Sequence, residues 1–253
     1  MAGHSKSTIV AMAVVASAAS SLLHEGLGHG VTAWLRGDVV TELTSNHLSS
    51  VRPDRLVDAA GTIADLVGGG LCFLALPRVR STNARYFLWF FGAVCLLMGA
   101  GYFLFSGVLG LGDWAAFIAG LPHPALLRAG MAAVGAVLYV WFVRLIAVAV
   151  HPYAPHRGDY NTAGRLPYYA SCAFWCLAGA FDPMGFRLML LSTLPASLGG
   201  MSGMLWADSL MPRTPPGEEL VVERSRAWSI LAIAAGGAFL VTVARGIEFS
   251  RGR

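Results

Sequence analysis

Residues 8–35 read TIVAMAVVASAASSLLHEGLGHGVTAWL. The stretch is apolar and long enough, as a helix, to cross the ~30 Å hydrocarbon core of a bilayer. Its second half carries two imidazoles and a carboxylate, at His24, Glu25 and His29. Ionisable groups inside lipid are costly and mark functional sites by default. Lys6 followed by an apolar run containing Ala16-Ser17-Ala18 has the look of a signal peptide. The apolar character resumes through Val31 to Leu35, however, so the expectation is one uncleaved first helix.

The rest of the chain has the same character. Of 253 residues, 56% are hydrophobic and 13% charged, about half the charged share of a soluble domain. That excludes a soluble enzyme, a disordered chain and a fibrous one. Further spans are expected at about 56–77, 86–107, 126–150, 166–181, 186–210 and 227–245. The segment 108–121 is too short and Gly-rich for a crossing, and reads as a re-entrant segment or a bent extension of the third helix. The fold class expected is all-α: one polytopic transmembrane bundle over 1–253, with about 6–7 spans.

The net charge of +4 comes from 18 basic residues spread over many loops. That distribution fits contact with membrane lipids and gives no nucleic-acid footprint. The basic residues fall almost evenly on the two ends of the spans, so charge assigns no orientation. Cys72, Cys95, Cys172 and Cys176 lie in apolar runs without a zinc-ligand pattern and read as packing residues. The run Leu198-Gly199-Gly200-Met201-Ser202-Gly203 lacks a lysine for phosphate and reads as close helix packing.

Other ionisable residues have simpler readings. Arg144 snorkels or pairs. Asp182-Pro183 is a polar turn with a helix cap. Asp65 is a packing carboxylate bonded to a neighbour, and Asp58, Asp208 and Arg187 sit near span ends. His123 and His151 precede prolines at span edges; His4, His47 and His156 are expected in solvent.

His24-Glu25-Gly26-Leu27-Gly28-His29 resists such a reading. Imidazole is the commonest protein metal ligand, and a neighbouring carboxylate can act on water at a metal. In the common zinc-hydrolase motif H-E-x-x-H the two His are four apart and share a helix face. Five apart on an ideal helix, they diverge by about 140°. A π-bulge realigns them, because the wider turn brings i and i+5 together. Gly26 and Gly28 make that distortion cheap. The competing geometry keeps a regular helix and uses Glu25 and His29, four apart, as ligands.

With HEGLGH followed by Gly30-Val31-Thr32-Ala33-Trp34-Leu35-Arg36-Gly37, the chain resembles the zinc-binding helix of the site-2 protease family of intramembrane metalloproteases. The extra residue gives it the HExxGH form of the motif. Residues Gly61-Thr62-Ile63-Ala64-Asp65 stand where that family has a G-P-x-x-N-like element. Residues Leu104 to Trp114, which include Leu111-Gly112-Asp113-Trp114, stand where its third helix ends in a ligand Asp. The resemblance covers 8–120 as a metalloprotease-like core and leaves 121–253 as additional helices. It implies a Zn2+ cofactor held by His24, His29 and Asp113, with Asp182 as the reserve third ligand and Glu25 as catalytic base. It implies hydrolysis of a membrane-embedded protein substrate, in a multi-pass protein of a bacterial inner membrane. The alternative is a membrane scaffold, assembly factor or pseudoprotease that keeps a metal-like site without cleaving.

Overall fold

The computed structural model describes residues 3–156, 158–185, 190 and 195–249, with the side chains of 196 and 197 left out. Five helices among these are long and apolar enough to cross a membrane: Lys6–Leu35 (α1), Arg55–Arg78 (α2), Thr82–Leu109 (α3), Pro124–Tyr153 (α5) and Arg226–Arg245 (α7). Between α3 and α5 lies a short helix, Asp113–Ile118 (α4). Helix α6, Leu166–Ala180, has 15 residues, about 22 Å of rise, and is shorter than the ~30 Å core.

The expected span at 186–210 differs. Arg187, with residues 186–189 and 191–194, lies outside the described residues. From Pro195 onward the chain forms short turns, Pro195–Gly199, Ser202–Leu205 and Ala207–Leu210, rather than a spanning helix.

Helix α3 packs against α1, α2 and α5, and its aromatic residues fill the core. Tyr86, Trp89 and Phe90 have no exposed surface. Burial of the indole requires a partner for its N–H, and Trp89 Nε1 donates to the Ile146 carbonyl at 3.1 Å. Glycines let α3 and α5 approach by their backbones: a Cβ at Gly107 would lie 2.6 Å from Ala132 N, and one at Gly135 the same distance from Leu104 N.

The outer face has the opposite character. Ile63, Val67, Leu71 and Leu74 are exposed on α2 at spacings of four, four and three, which is one stripe of a helix. Val134, Val137, Trp141 and Val148 do the same on α5. Apolar stripes of this extent belong against lipid, not water. Together with the five helices they fit an integral membrane protein.

The all-helical expectation needs one correction. The polar stretch between α1 and α2 folds as a hairpin, Val40–Leu43 (β1) and Leu48–Ser50 (β2), with Leu43 opposite Leu48. The Thr44 hydroxyl accepts from the N–H groups of Asn46 and His47, both at 3.1 Å, and so closes the turn. A C-terminal strand, Ile247–Glu248 (β3), pairs with the other edge of β1, giving the order β2-β1-β3.

Candidate metal centre

Within α1 the regular helix stops at Ser21 and a π-helical segment runs from Leu22 to Gly30 before the α-form resumes. The wider turn places i and i+5 on one side. His24 and His29 therefore meet edge to face, with ring centroids 4.8 Å apart. His24, Glu25 and His29 are all about 95% buried.

The face they present lies against the backbone of α2. A Cβ on Gly28 would lie 2.6 Å from the Cα of Gly61, so only a glycine pair permits this approach. Along α2, Val57, Gly61 and Asp65 recur every four residues and form one row facing the imidazoles. Asp65 Oδ2 accepts from His24 Nδ1 at 2.7 Å, and the Val57 carbonyl accepts from His29 Nδ1 at 2.6 Å. Gly61, between them, leaves the space at both Nε2 atoms open; a Cβ there would collide with both rings.

The third side chain comes from α4. Helix α3 ends at Gly110 in the left-handed region, φ 68°, and Gly112, φ 80°, turns the chain into α4. Side chains disfavour both conformations, which explains glycine at each. The turn brings Asp113 Oδ2 to 3.1 Å from His24 Nε2 and 3.4 Å from His29 Nε2.

These contacts carry a chemical demand. A backbone carbonyl only accepts, so the proton of His29 resides on Nδ1 and a neutral ring turns a bare lone pair toward Asp113. The Asp65 carboxylate imposes the same tautomer on His24. With both rings neutral, two lone pairs and a carboxylate oxygen lie within 4.8 Å of one another. A cation satisfies all three. Donors around a tetrahedral ion at ~2.0–2.1 Å stand about 3.3 Å apart, close to the two distances to Asp113. The group can hold a metal ion. Carboxylate and carbonyl partners on the far nitrogens are the usual support for metal-binding histidines.

Glu25 sits beside this group. Its Oε2 is buried and has no hydrogen-bond partner among the described residues. It lines a polar cavity of about 310 Å³ together with His29, Asn46, His47, Asp58 and Asp113, reaching Arg52 and Asp54 at the hairpin end. A second, apolar cleft of about 630 Å³ runs along α3 past Met98, Tyr102, Phe105 and Val108. Asn46, His47 and Asp113 line both, so the two spaces adjoin at Asp113, the third side chain of the candidate centre.

Three sequence expectations shift. Asp182 is tied to the hairpin turn, accepting from Asn46 Nδ2 at 3.1 Å and from Met184 N at 2.9 Å, and does not join the group of His24 and His29. His47 is not in solvent: Glu42 Oε2 lies 3.2 Å from its Nε2 and Thr44 Oγ1 2.8 Å from its Nδ1. His4 bridges two chain segments, Tyr153 O at 2.6 Å and Val222 N at 3.0 Å. Val57 was not singled out in the sequence; Gly61 and Asp65 were placed only by resemblance, in the G-P-x-x-N-like stretch, with Asp65 otherwise read as packing. Their spacing of four beside a helix with paired histidines is the signal that points to all three.

Comparison with family models, curated proteins and solved structures finds no match to this chain in any of the three.

Proposed function

We propose that the protein is an intramembrane metal-dependent peptidase of the site-2 protease type, with zinc at the group of His24, His29 and Asp113. The observation that carries this reading is the buried Glu25 Oε2, without a partner among the described residues, on the wall of a cavity that His29 and Asp113 of the candidate group also line. An unsatisfied buried carboxylate oxygen is costly, which favours a working site over a purely structural cluster.

Zinc bound there would supply a Lewis acid for a peptide carbonyl and for water. Glu25, next to the first histidine, takes a proton from the attacking water and returns it to the leaving amine. Asp65 and the Val57 carbonyl keep both rings in the required tautomer. The polar cavity brings water from the hairpin end, and the apolar cleft admits a membrane-embedded protein segment. That segment must unwind locally, since helical amides are already hydrogen-bonded. We further read the segment 108–121 as the bent extension of α3 that delivers Asp113. Our reading places the protein in a bacterial cytoplasmic membrane.

The test is purified full-length protein in bicelles, assayed for zinc and for cleavage of an apolar transmembrane peptide. The expected result is about one zinc per chain, with cleavage lost in Glu25→Gln while zinc remains. Cleavage surviving that change removes Glu25 as the base. Zinc without cleavage in the wild type favours a pseudoprotease or scaffold.

A further inference from the structure

The tyrosines of this protein follow a rule with one exception. Tyr86, Tyr139, Tyr153, Tyr160 and Tyr168 are mostly buried, and each hydroxyl donates to a backbone carbonyl, at 2.7 to 3.0 Å. Tyr169 is exposed. Tyr102 is half-buried on α3, yet its hydroxyl makes no hydrogen bond among the described residues. The hydroxyl keeps accessible surface at the apolar cleft, so it is free to take a partner from outside the chain.

Its position explains what such a partner is. The Tyr102 ring stacks on the His24 imidazole, with centroids 5.0 Å apart and planes 25° from parallel. Phe105 packs edge-on against its other side at 6.4 Å. The ring is thus held in place one layer from the ligand atoms. It lines the apolar cleft beside Asp113.

We infer that Tyr102 is a catalytic residue whose hydroxyl donates a hydrogen bond to the scissile carbonyl oxygen of a substrate entering through the apolar cleft. This rests on the peptidase reading above. Glu25 handles the proton of the attacking water and cannot also donate to the oxygen that gains negative charge. Histidines locked by Asp65 and Val57 have no free N–H to offer. A preorganised donor at that oxygen is among the largest contributions an active site makes. A tyrosine fixed by stacking supplies it without reorganisation, and it discriminates for the transition state because the oxygen becomes a stronger acceptor as charge develops.

The test compares wild type, Tyr102→Phe and Tyr102→Leu, all full-length and zinc-loaded in bicelles. Three quantities are read: zinc per chain, cleavage of the apolar transmembrane peptide, and affinity for a phosphinic analogue of that peptide by calorimetry. The phosphinic group mimics the tetrahedral oxygens and requires no turnover. Tyr102→Phe keeps the stack on His24, so zinc and KM stay within about threefold, while kcat falls by about 10²- to 10³-fold. Phosphinate affinity falls by about tenfold or more, and affinity for the uncleaved peptide does not change. Tyr102→Leu loses the same and some zinc as well. Wild-type values for kcat and phosphinate in Tyr102→Phe overturn the inference. So does loss of zinc in Tyr102→Phe, which makes the ring a structural prop. A wild type that holds zinc but neither cleaves nor binds the phosphinate defeats the peptidase reading itself, and this inference with it.

Discussion

His24 and His29 stand five positions apart, yet their Nε2 atoms lie 3.1 and 3.4 Å from the same oxygen of Asp113. One π-helical segment inside α1 produces that relation. Because the three side chains come from α1 and α4, a metal held by them would tie two separate parts of the chain together.

Metal content is the first consequence. His24→Ala and Asp113→Asn are each expected to reduce bound metal to near background, measured by elemental analysis of purified protein. Asp182→Asn, on the hairpin turn, is expected to leave it unchanged. Equal retention in Asp113→Asn and wild type would remove Asp113 as a ligand.

Asp65 supports His24 from behind, at 2.7 Å. Asp65→Ala frees the ring to rotate and removes the partner that fixes its tautomer. Zinc affinity should fall by about 10- to 100-fold, as read by competition with a chromogenic chelator. Asp65→Asn keeps an acceptor and should lose less.

Gly61 keeps the space in front of both imidazoles clear. Gly61→Ala is expected to abolish metal binding, since its Cβ would meet His24 Nε2 and His29 Nε2 directly. Gly70→Ala on the same helix is the control. Nothing lies within 4 Å of a Cβ there, so that change is expected to be neutral or to stabilise the helix by about 0.4–1 kcal/mol.

Asp54 caps α2 at the mouth of the polar cavity. Its side chain accepts from Leu56 N at 2.8 Å and from Arg36 Nε at 2.7 Å. Asp54→Ala should lower thermal stability by about 0.5–2 kcal/mol. The Arg36 guanidinium, then the Leu56 N–H, hold the Asp54 carboxyl below its ordinary value. Its contribution is therefore complete above the unfolded carboxylate pKa of about 3.9 and disappears as pH falls through the lower folded value. The difference in melting temperature between wild type and Asp54→Ala should shrink with acidification across that window. A gap that persists undiminished below it would show that the charge of Asp54 is not involved.

The spans at α1, α2, α3, α5 and α7 were legible because hydropathy over twenty residues depends on composition, not on tertiary detail. The π-helical turn was legible for a local reason: two histidines five apart with glycines between them leave few ways to share a site. Asp113 was reached only through the order of elements in a resembling family. The hairpin was not legible. Its strands have 4 and 3 residues, too short for alternation to register, and pairing with β3 joins residues some two hundred positions apart. Asp65 shows its role only once its spacing on α2 is set beside the paired histidines, where the two helices meet at Gly28 and Gly61. Helix α6, expected as a span at 166–181, has 15 residues and is shorter than the hydrocarbon core.

Leu27 is the residue that makes the difference from the common spacing, and its side chain is 62% exposed on the outside of α1. Deleting it would leave His-Glu-Gly-Gly-His, a regular four-residue interval on an ordinary helix. A one-codon loss or gain at this position therefore interconverts two versions of the motif while changing little of the buried interior. What has to absorb the slip is the rotational phase of the helix on either side.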